Sequence, residues 1–151
     1  MKVKAVTLGC KVNAYESEFI LSKFEEKGYE VTHDDADIYI INTCSVTNTS
    51  DAKSRKVINK IVRENPDAII VVMGCMIEAH KDYENSCVSI TIGNKDKSRV
   101  VELVEDYIKE HSKKKLLYGD FDASFEDMFI ESMHDHTRAY VKIQDGCENF
   151  C

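Results

Sequence analysis

Apolar residues gather along this chain in short runs that end at glycine or cysteine, and between those runs the spacing changes to that of a helix. Val3 to Leu8 reads as a strand, left through Gly9-Cys10. From Ala14 to Lys27 the pairs Tyr15/Phe19 and Ile20/Phe24 fall on one helical face, with Asn13 placed to cap the helix and Gly28 to stop it. A short strand is expected over Tyr29 to Thr32. Past the polar turn His33-Asp34-Asp35, Ile38 to Asn42 is apolar without alternation, the mark of a strand covered on both faces.

Thr47-Asn48-Thr49-Ser50-Asp51 is rich in capping side chains, and the helix behind it carries Val57, Ile58, Ile61 and Val62 on one stripe until Asn65-Pro66 ends it. Ala68 to Met73 repeats the doubly covered pattern, and Gly74-Cys75 closes it as Gly9-Cys10 closed the first. Val88 to Ile92 leads into Gly93-Asn94, and Val100, Val101, Val104 and Ile108 mark the inner face of a closing helix. About five strands with helices between them predict an α/β domain over residues 1–112, a doubly wound parallel sheet in the flavodoxin-like order.

The character changes after Lys113-Lys114-Lys115. Leu116 to Asp135 holds six Asp or Glu and no Lys or Arg, interleaved with Phe121, Phe125, Met128, Phe129 and Met133. Residues 113–136 therefore read as an acidic linker lying along a surface, with His134 and His136 as exposed loop residues rather than ligands. Ala139, Val141 and Ile143 then alternate with Tyr140, Lys142 and Gln144, a fresh strand that Asp145-Gly146 turns into Cys147. A lone strand is not stable by itself. Residues 137–151 are accordingly expected to be the start of a second domain that the chain does not complete.

With 151 residues, 43% of them hydrophobic, the chain has material for one well-packed domain and part of another. No apolar run approaches the roughly 20 residues that span a bilayer. The start, Met-Lys-Val-Lys-Ala-Val-Thr, goes directly into a strand without the apolar region of a signal peptide, so a cytoplasmic protein with no membrane partner is expected. In that compartment Asn48-Thr49-Ser50 has no meaning as a glycosylation acceptor, and six cysteines are more often ligands, catalytic groups or core residues than disulfides. The formal net charge of −7 argues that this stretch is not a main electrostatic footprint for nucleic acid. Lys53, Arg55, Lys56, Lys60 and Arg63 do collect on one predicted helix, where the simplest reading is a solvated face.

Cys10, Cys44 and Cys75 each follow a predicted strand, so a parallel sheet would bring all three to its carboxyl edge, where open α/β sheets bind ligands. Structural zinc usually closes four ligands, often from paired Cys-x-x-Cys knuckles, whereas these thiols lie far apart in sequence. Soft thiolates also suit iron-sulfur clusters, normally held by four Cys, and three would leave one iron open. Any one of the three alone reads as a small buried hydrophobe. Three at equivalent positions argue against that reading. Cys87 precedes its strand, at the opposite edge, and is assigned to packing. Cys147-Glu-Asn-Phe-Cys151 looks like the opening of a second thiolate site.

These residues carry a resemblance. Thr7-Leu-Gly-Cys-Lys-Val-Asn13 with Tyr15-Glu-Ser17, Ile41-Asn-Thr-Cys44, Gly74-Cys75, Ile92-Gly-Asn-Lys-Asp96, and Arg138 with Lys142-Ile-Gln-Asp-Gly-Cys147 through Cys151 resemble the radical S-adenosylmethionine methylthiotransferases. The resemblance covers essentially the whole chain, as the amino-terminal domain of that family and the entrance to its catalytic barrel. It implies that Cys10, Cys44 and Cys75 bind one 4Fe-4S cluster with an open iron. It also implies that Cys147 and Cys151 are the first two ligands of a radical cluster held by Cys-x-x-x-Cys-x-x-Cys, whose third position falls just past the end of this chain. S-adenosylmethionine, a sulfur donor and an electron donor are implied with them.

The family's targets are isopentenyladenosine in tRNA, threonylcarbamoyladenosine in tRNA, or an aspartate of a ribosomal protein. Lys11-Val12-Asn13 resembles the threonylcarbamoyladenosine branch, which makes tRNA the expected partner, bound mostly outside this stretch. Ala14 stands where Gln is common, and Met76-Ile77-Glu78 where Tyr-Ala-Gln is usual. The alternative outside this family is a flavodoxin-like electron-transfer module, although Thr7 to Asn13 lacks the donors that cradle a flavin phosphate. A structural Cys-rich fold is a third.

Overall fold

The computed structural model describes residues 1–111 and 114–116, together with Met128 and Ile143. In chain order the elements are β1 (Lys2–Thr7), α1 (Lys11–Glu26), β2 (Glu30–Val31), β3 (Ile38–Thr43), α2 (Asn48–Glu64), β4 (Ile69–Gly74), α3 (Cys75–Ala79) and β5 (Ile90–Ile92). A short 3₁₀ turn (Lys97–Arg99), α4 (Val100–Glu110) and β6 (Lys114–Leu116) follow. The strands form one sheet in the order β2-β1-β3-β4-β5-β6, every neighbouring pair parallel. The first five strands keep the flavodoxin-like order expected from the pattern. The sixth is an addition, falling at the start of the stretch read as a linker.

The apolar runs explain why the sheet is covered on both sides. All six residues of β3 are buried, and its alternate side chains enter two different cores. Ile38 and Ile40 join Val71, Met73, Ile90 and Ile92 beneath Phe19, Ile20 and Phe24 of α1 and Val100 and Val104 of α4. Tyr39 and Ile41 join Ile70 and Val72 against Ile58 and Ile61 of α2 and Met76 and Ile77 of α3. A period of two with both phases apolar is the signature of a doubly wound sheet. Each fully buried Ile contributes roughly 1.5–3 kcal/mol.

Several boundaries moved, each for a physical reason. Helix α1 begins at Lys11, three residues before the predicted start, because Asn13 is not its cap. Cys10 occupies the cap position without its side chain capping the helix backbone, and Asn13 is buried inside the first turn. The cap expected for α2 is present, with Thr47 Oγ1 accepting from Ser50 N at 3.1 Å. Gly28 has the positive φ, 83°, that its place after α1 requires. Helix α3 is a single turn too short for periodicity to reveal.

Two expectations for the later chain fall on described residues. Met128 of the acidic stretch is buried in the α1/α4 core, and its carbonyl accepts a hydrogen bond from the Tyr15 hydroxyl, so at that point the stretch is anchored in the core rather than laid on a surface. Ile143 is exposed. The rest of the expected strand around Val141, together with His134, His136, Cys147 and Cys151, lies outside the described residues. No helix among the described residues is long and apolar enough to cross a membrane.

Candidate functional site

The strand order reverses between β1 and β3, since the chain leaves β1 for β2 on one side and returns to β3 on the other. The crevice outside the carboxyl ends at such a switch point is where doubly wound sheets bind ligands. Cys10 follows β1 and Cys44 follows β3, so these two thiols flank the switch point. Cys75 follows β4, the next strand over. Thr7 pairs with Asn42, Asn42 with Met73 and Thr43 with Gly74, so the three strands end nearly level. The sheet edge expected to gather the three cysteines does so. Cys10 is exposed, Cys44 buried and Cys75 between the two.

The glycines before Cys10 and Cys75 have a steric reason. Gly9 has φ +106°, and a Cβ there would stand 2.5 Å from Cys44 Cβ and 2.8 Å from Cys44 Sγ. Gly74 has φ +99°, and a Cβ would meet Asn42 Oδ1 at 2.6 Å and Thr43 O at 2.7 Å. Both positions exclude side chains by backbone angle and by space. Their absence lets the three loops press against one another.

Polar groups then tie these loops together. Asn13 Nδ2 donates to Leu8 O at 2.8 Å and Thr43 O at 2.9 Å, joining the loop of Cys10 to that of Cys44. Thr43 Oγ1 donates to Met73 O at 2.6 Å, and Ser45 Oγ to Cys75 O at 3.0 Å, joining the loop of Cys44 to that of Cys75. Ser54 of α2, fully buried, accepts from Cys44 N at 3.3 Å, and its oxygen lies 2.9 Å from Cys44 O. Glu78 Oε2 accepts from Asn94 N at 3.0 Å and packs where a Cβ at Gly93 would stand. The departure at Met76-Ile77-Glu78 thus has a structural use, fastening α3 to the loop after β5.

At the centre of this edge is a buried ion pair. Lys97 Nζ lies 2.6 Å from Glu16 Oε2, with side-chain exposures of 3% and 9%. Asn42 Nδ2 donates to the same carboxylate oxygen at 3.2 Å and to Asn13 O at 3.1 Å, while Thr7 Oγ1 donates to Ser17 Oγ at 2.8 Å. Asn42 Oδ1 is buried with no hydrogen-bond partner among the described residues. The amide keeps this orientation because turning it over would set oxygen against the Glu16 carboxylate. Burial pushes the Cys75 thiol up, the Lys97 charge opposes that shift, and Cys44 and Glu16 add to it.

The donor chemistry of this edge, three thiols on three adjacent loops, fits a thiolate-bound iron-sulfur group. The side chains are not drawn into one ligating set: Cys10 Sγ is turned to Asn13 Oδ1 at 3.5 Å, and among the described residues no three His, Cys, Asp or Glu side chains are grouped to hold a metal ion. Cys87 lies at the opposite edge as expected, but it is exposed, so packing is not its role. Asn42, Ser54, Glu16 and Lys97 were not singled out individually by the sequence, and Asn13 was read only as a helix cap. Glu16 and Asn42 stood inside the motifs of the resemblance, whereas nothing local marks Lys97 as buried.

The family model described as "Uncharacterized protein family UPF0004" matches residues 2–93. A Bacillus subtilis (strain 168) protein named Threonylcarbamoyladenosine tRNA methylthiotransferase MtaB is 41% identical over 150 residues, 96% of this chain and 33% of its own length. A Pseudomonas savastanoi pv. phaseolicola protein named Ribosomal protein uS12 methylthiotransferase RimO is 34% identical over 99% of this chain and 33% of its own. A Natranaerobius thermophilus protein named tRNA-2-methylthio-N(6)-dimethylallyladenosine synthase is 31% identical over 99% of this chain and 35% of its own. The chain thus spans about a third of the length of these relatives. With residues 2–93 taking in β1 through β5 and all three strand-end cysteines, the chain belongs to the UPF0004 family, which forms the amino-terminal part of the methylthiotransferases it is related to.

Proposed function

We propose that this chain is the amino-terminal part of a tRNA methylthiotransferase that installs a 2-methylthio group on threonylcarbamoyladenosine beside the anticodon. The observation that carries this reading is the 41% identity, over 96% of the chain, to a relative whose name gives that activity. Identity to the ribosomal-protein and dimethylallyladenosine enzymes is lower, 34% and 31%. Lys11-Val12-Asn13, in the first turn of α1 beside Cys10, points the same way.

In this reading Cys10, Cys44 and Cys75 hold a 4Fe-4S cluster, and Cys147 and Cys151 begin the binding motif of the radical cluster that works with S-adenosylmethionine. Bound there, such a cluster would leave one iron without a thiolate ligand and would supply a site able to bind sulfur. The chain's own residues do the positioning. Gly9 and Gly74 let the loops close, and Asn13, Thr43 and Ser45 fix their spacing. Lys97, paired with Glu16, lies within electrostatic reach of Cys75 and favours its thiolate, while Glu16 opposes it. Cys44, buried beneath Gly9, is shielded from water, and Cys10, exposed, is the ligand on the open side.

Deleting the gene and analysing digested tRNA by mass spectrometry tests the assignment. Methylthio-threonylcarbamoyladenosine should disappear and its unmethylthiolated precursor accumulate. Loss of methylthio-isopentenyladenosine or of the ribosomal aspartate modification in its place would move the chain to another branch. Retention of all three modifications, in a strain without a duplicate gene, would overturn the enzyme class.

A further inference from the structure

We propose that the exposed stripe Lys53, Lys56, Lys60 and Arg63 on α2 is the surface along which this domain holds the phosphate backbone of its RNA substrate; the inference rests on the tRNA reading above and assigns that substrate a place on the fold. The residues are separated by steps of three, four and three, so they fall on one face of the helix. The opposite face, with Ser54, Ile58 and Ile61, is buried against the sheet, which fixes the stripe outward on a rigid element.

The charges on this stripe are available. Among the described residues no hydrogen bond or ion pair takes up Lys53 or Lys56. Lys60 and Arg63 meet only Glu64, at 4.0 and 3.9 Å, with 65% and 78% of their side chains exposed. Contacts of that kind are worth little. Arg55, the remaining cation of the helix, is engaged elsewhere: its Nε lies 2.9 Å from Asp51 Oδ2 and its guanidinium 5.7 Å from the centre of the Tyr83 ring.

The sign of this helix is reversed against its surroundings. Helix α4 carries four acids against one Lys, and α1, with Glu16 and Glu18 buried, has only Glu25 and Glu26 left against Lys11 and Lys23, in a chain of net charge −7. Helix α2 carries five Lys and Arg against Asp51 and Glu64. A polyanion meeting this domain is repelled by α4 and drawn to α2. The stripe also has a direction. Helix α2 starts four residues past Cys44, and Lys53 to Arg63 extends about 15 Å at 1.5 Å per residue. An RNA strand laid along it runs toward the thiol-bearing edge.

A row of point charges with no aromatic or apolar anchor among them suits sequence-independent backbone contacts. It does not suit a membrane, because the apolar face that would insert is already packed on the sheet. The test uses the full-length protein, unmodified substrate tRNA and a salt series. The variant Lys53→Gln/Lys56→Gln/Lys60→Gln/Arg63→Gln should bind at least about tenfold more weakly at low salt, with the slope of log affinity against log salt reduced by about 2 to 3. The control Lys27→Gln/Lys109→Gln, on the α1/α4 side, should leave both unchanged. Should the fourfold variant fold poorly by circular dichroism, Lys53→Gln/Lys56→Gln reads the same effect at about half the slope change. Wild-type affinity and slope in a folded variant, or an equal loss in the control, would overturn the stripe while leaving the tRNA reading intact. Absence of tRNA binding by the wild type would overturn both.

Discussion

Cys75 and Cys87 lie at the two ends of neighbouring strands, and their surroundings share almost nothing. Cys75, after β4, sits on a glycine with positive φ, is half-buried, and has Cys44, Lys97 and Glu16 within electrostatic reach. Cys87, before β5, is exposed on an open groove of about 850 Å³ beside Met1, Asp37, Pro66 and Ser86. Its recorded contacts are backbone to Asn85 Oδ1 and a long approach of Ser86 Oγ to its sulfur. The same residue type thus stands in a packed, charged environment at one edge and is an ordinary surface thiol at the other. The direction of the strands makes the difference, because helix starts and loop crossings converge only on the carboxyl edge.

The comparison is broken most severely by substitution of the thiols themselves. Cys10→Ala, Cys44→Ala and Cys75→Ala should each abolish iron and sulfide uptake on anaerobic reconstitution, whereas Cys87→Ala should load about four irons per chain like the wild type. Iron content and visible absorbance measure this. Equal loading of Cys75→Ala and Cys87→Ala would remove the distinction between the edges.

The next effect concerns the buried ion pair at the carboxyl edge. Lys97→Met leaves Glu16 buried and unpaired, which should lower stability by about 3–5 kcal/mol in denaturant unfolding. The double variant Glu16→Gln/Lys97→Met should recover most of that loss, since neither charge is then stranded. A single-variant loss below about 1 kcal/mol would mean the pair is hydrated rather than desolvated.

The smallest effect sharpens the comparison with an exposed pair. Burial raises the Asp51 carboxyl, but the hydrogen bond and charge of Arg55, with His80 Nε2 2.9 Å away, outweigh it and hold the group below the usual carboxylate range. A carboxyl whose pKa is lowered on folding contributes stability above its unfolded value and loses it as pH falls through the folded one. The contribution is therefore present at neutral pH and vanishes in the acid range. Asp51→Asn should flatten this part of the stability profile by less than about 1 kcal/mol, read from melts across that range.

The sheet was legible because Ile38–Asn42 and Ala68–Met73 are apolar in both phases, a pattern few other structures tolerate. The positions of Cys10, Cys44 and Cys75 followed from strand polarity alone. Asn13 was misread because a side chain that caps locally can also reach carbonyls of two loops, and only the fold decides between them. Lys97 was missed for the opposite reason: lysine is almost always exposed, and its partner Glu16 lies in a different element. Strand β6 escaped because three residues of mixed polarity carry no period. Exposure of the α2 stripe was legible. Its lack of partners was not.

The bond from Lys97 to Glu16 joins residues 81 apart in sequence. Closing so long a loop carries a large entropic cost before the contact gives any return, so contacts of this kind form late. During synthesis Cys10 and Cys44 emerge well before Lys97, and for that interval they are free thiols on a nascent chain. A cluster held as proposed by Cys10, Cys44 and Cys75 would then be loaded on the folded α/β unit rather than on a growing chain.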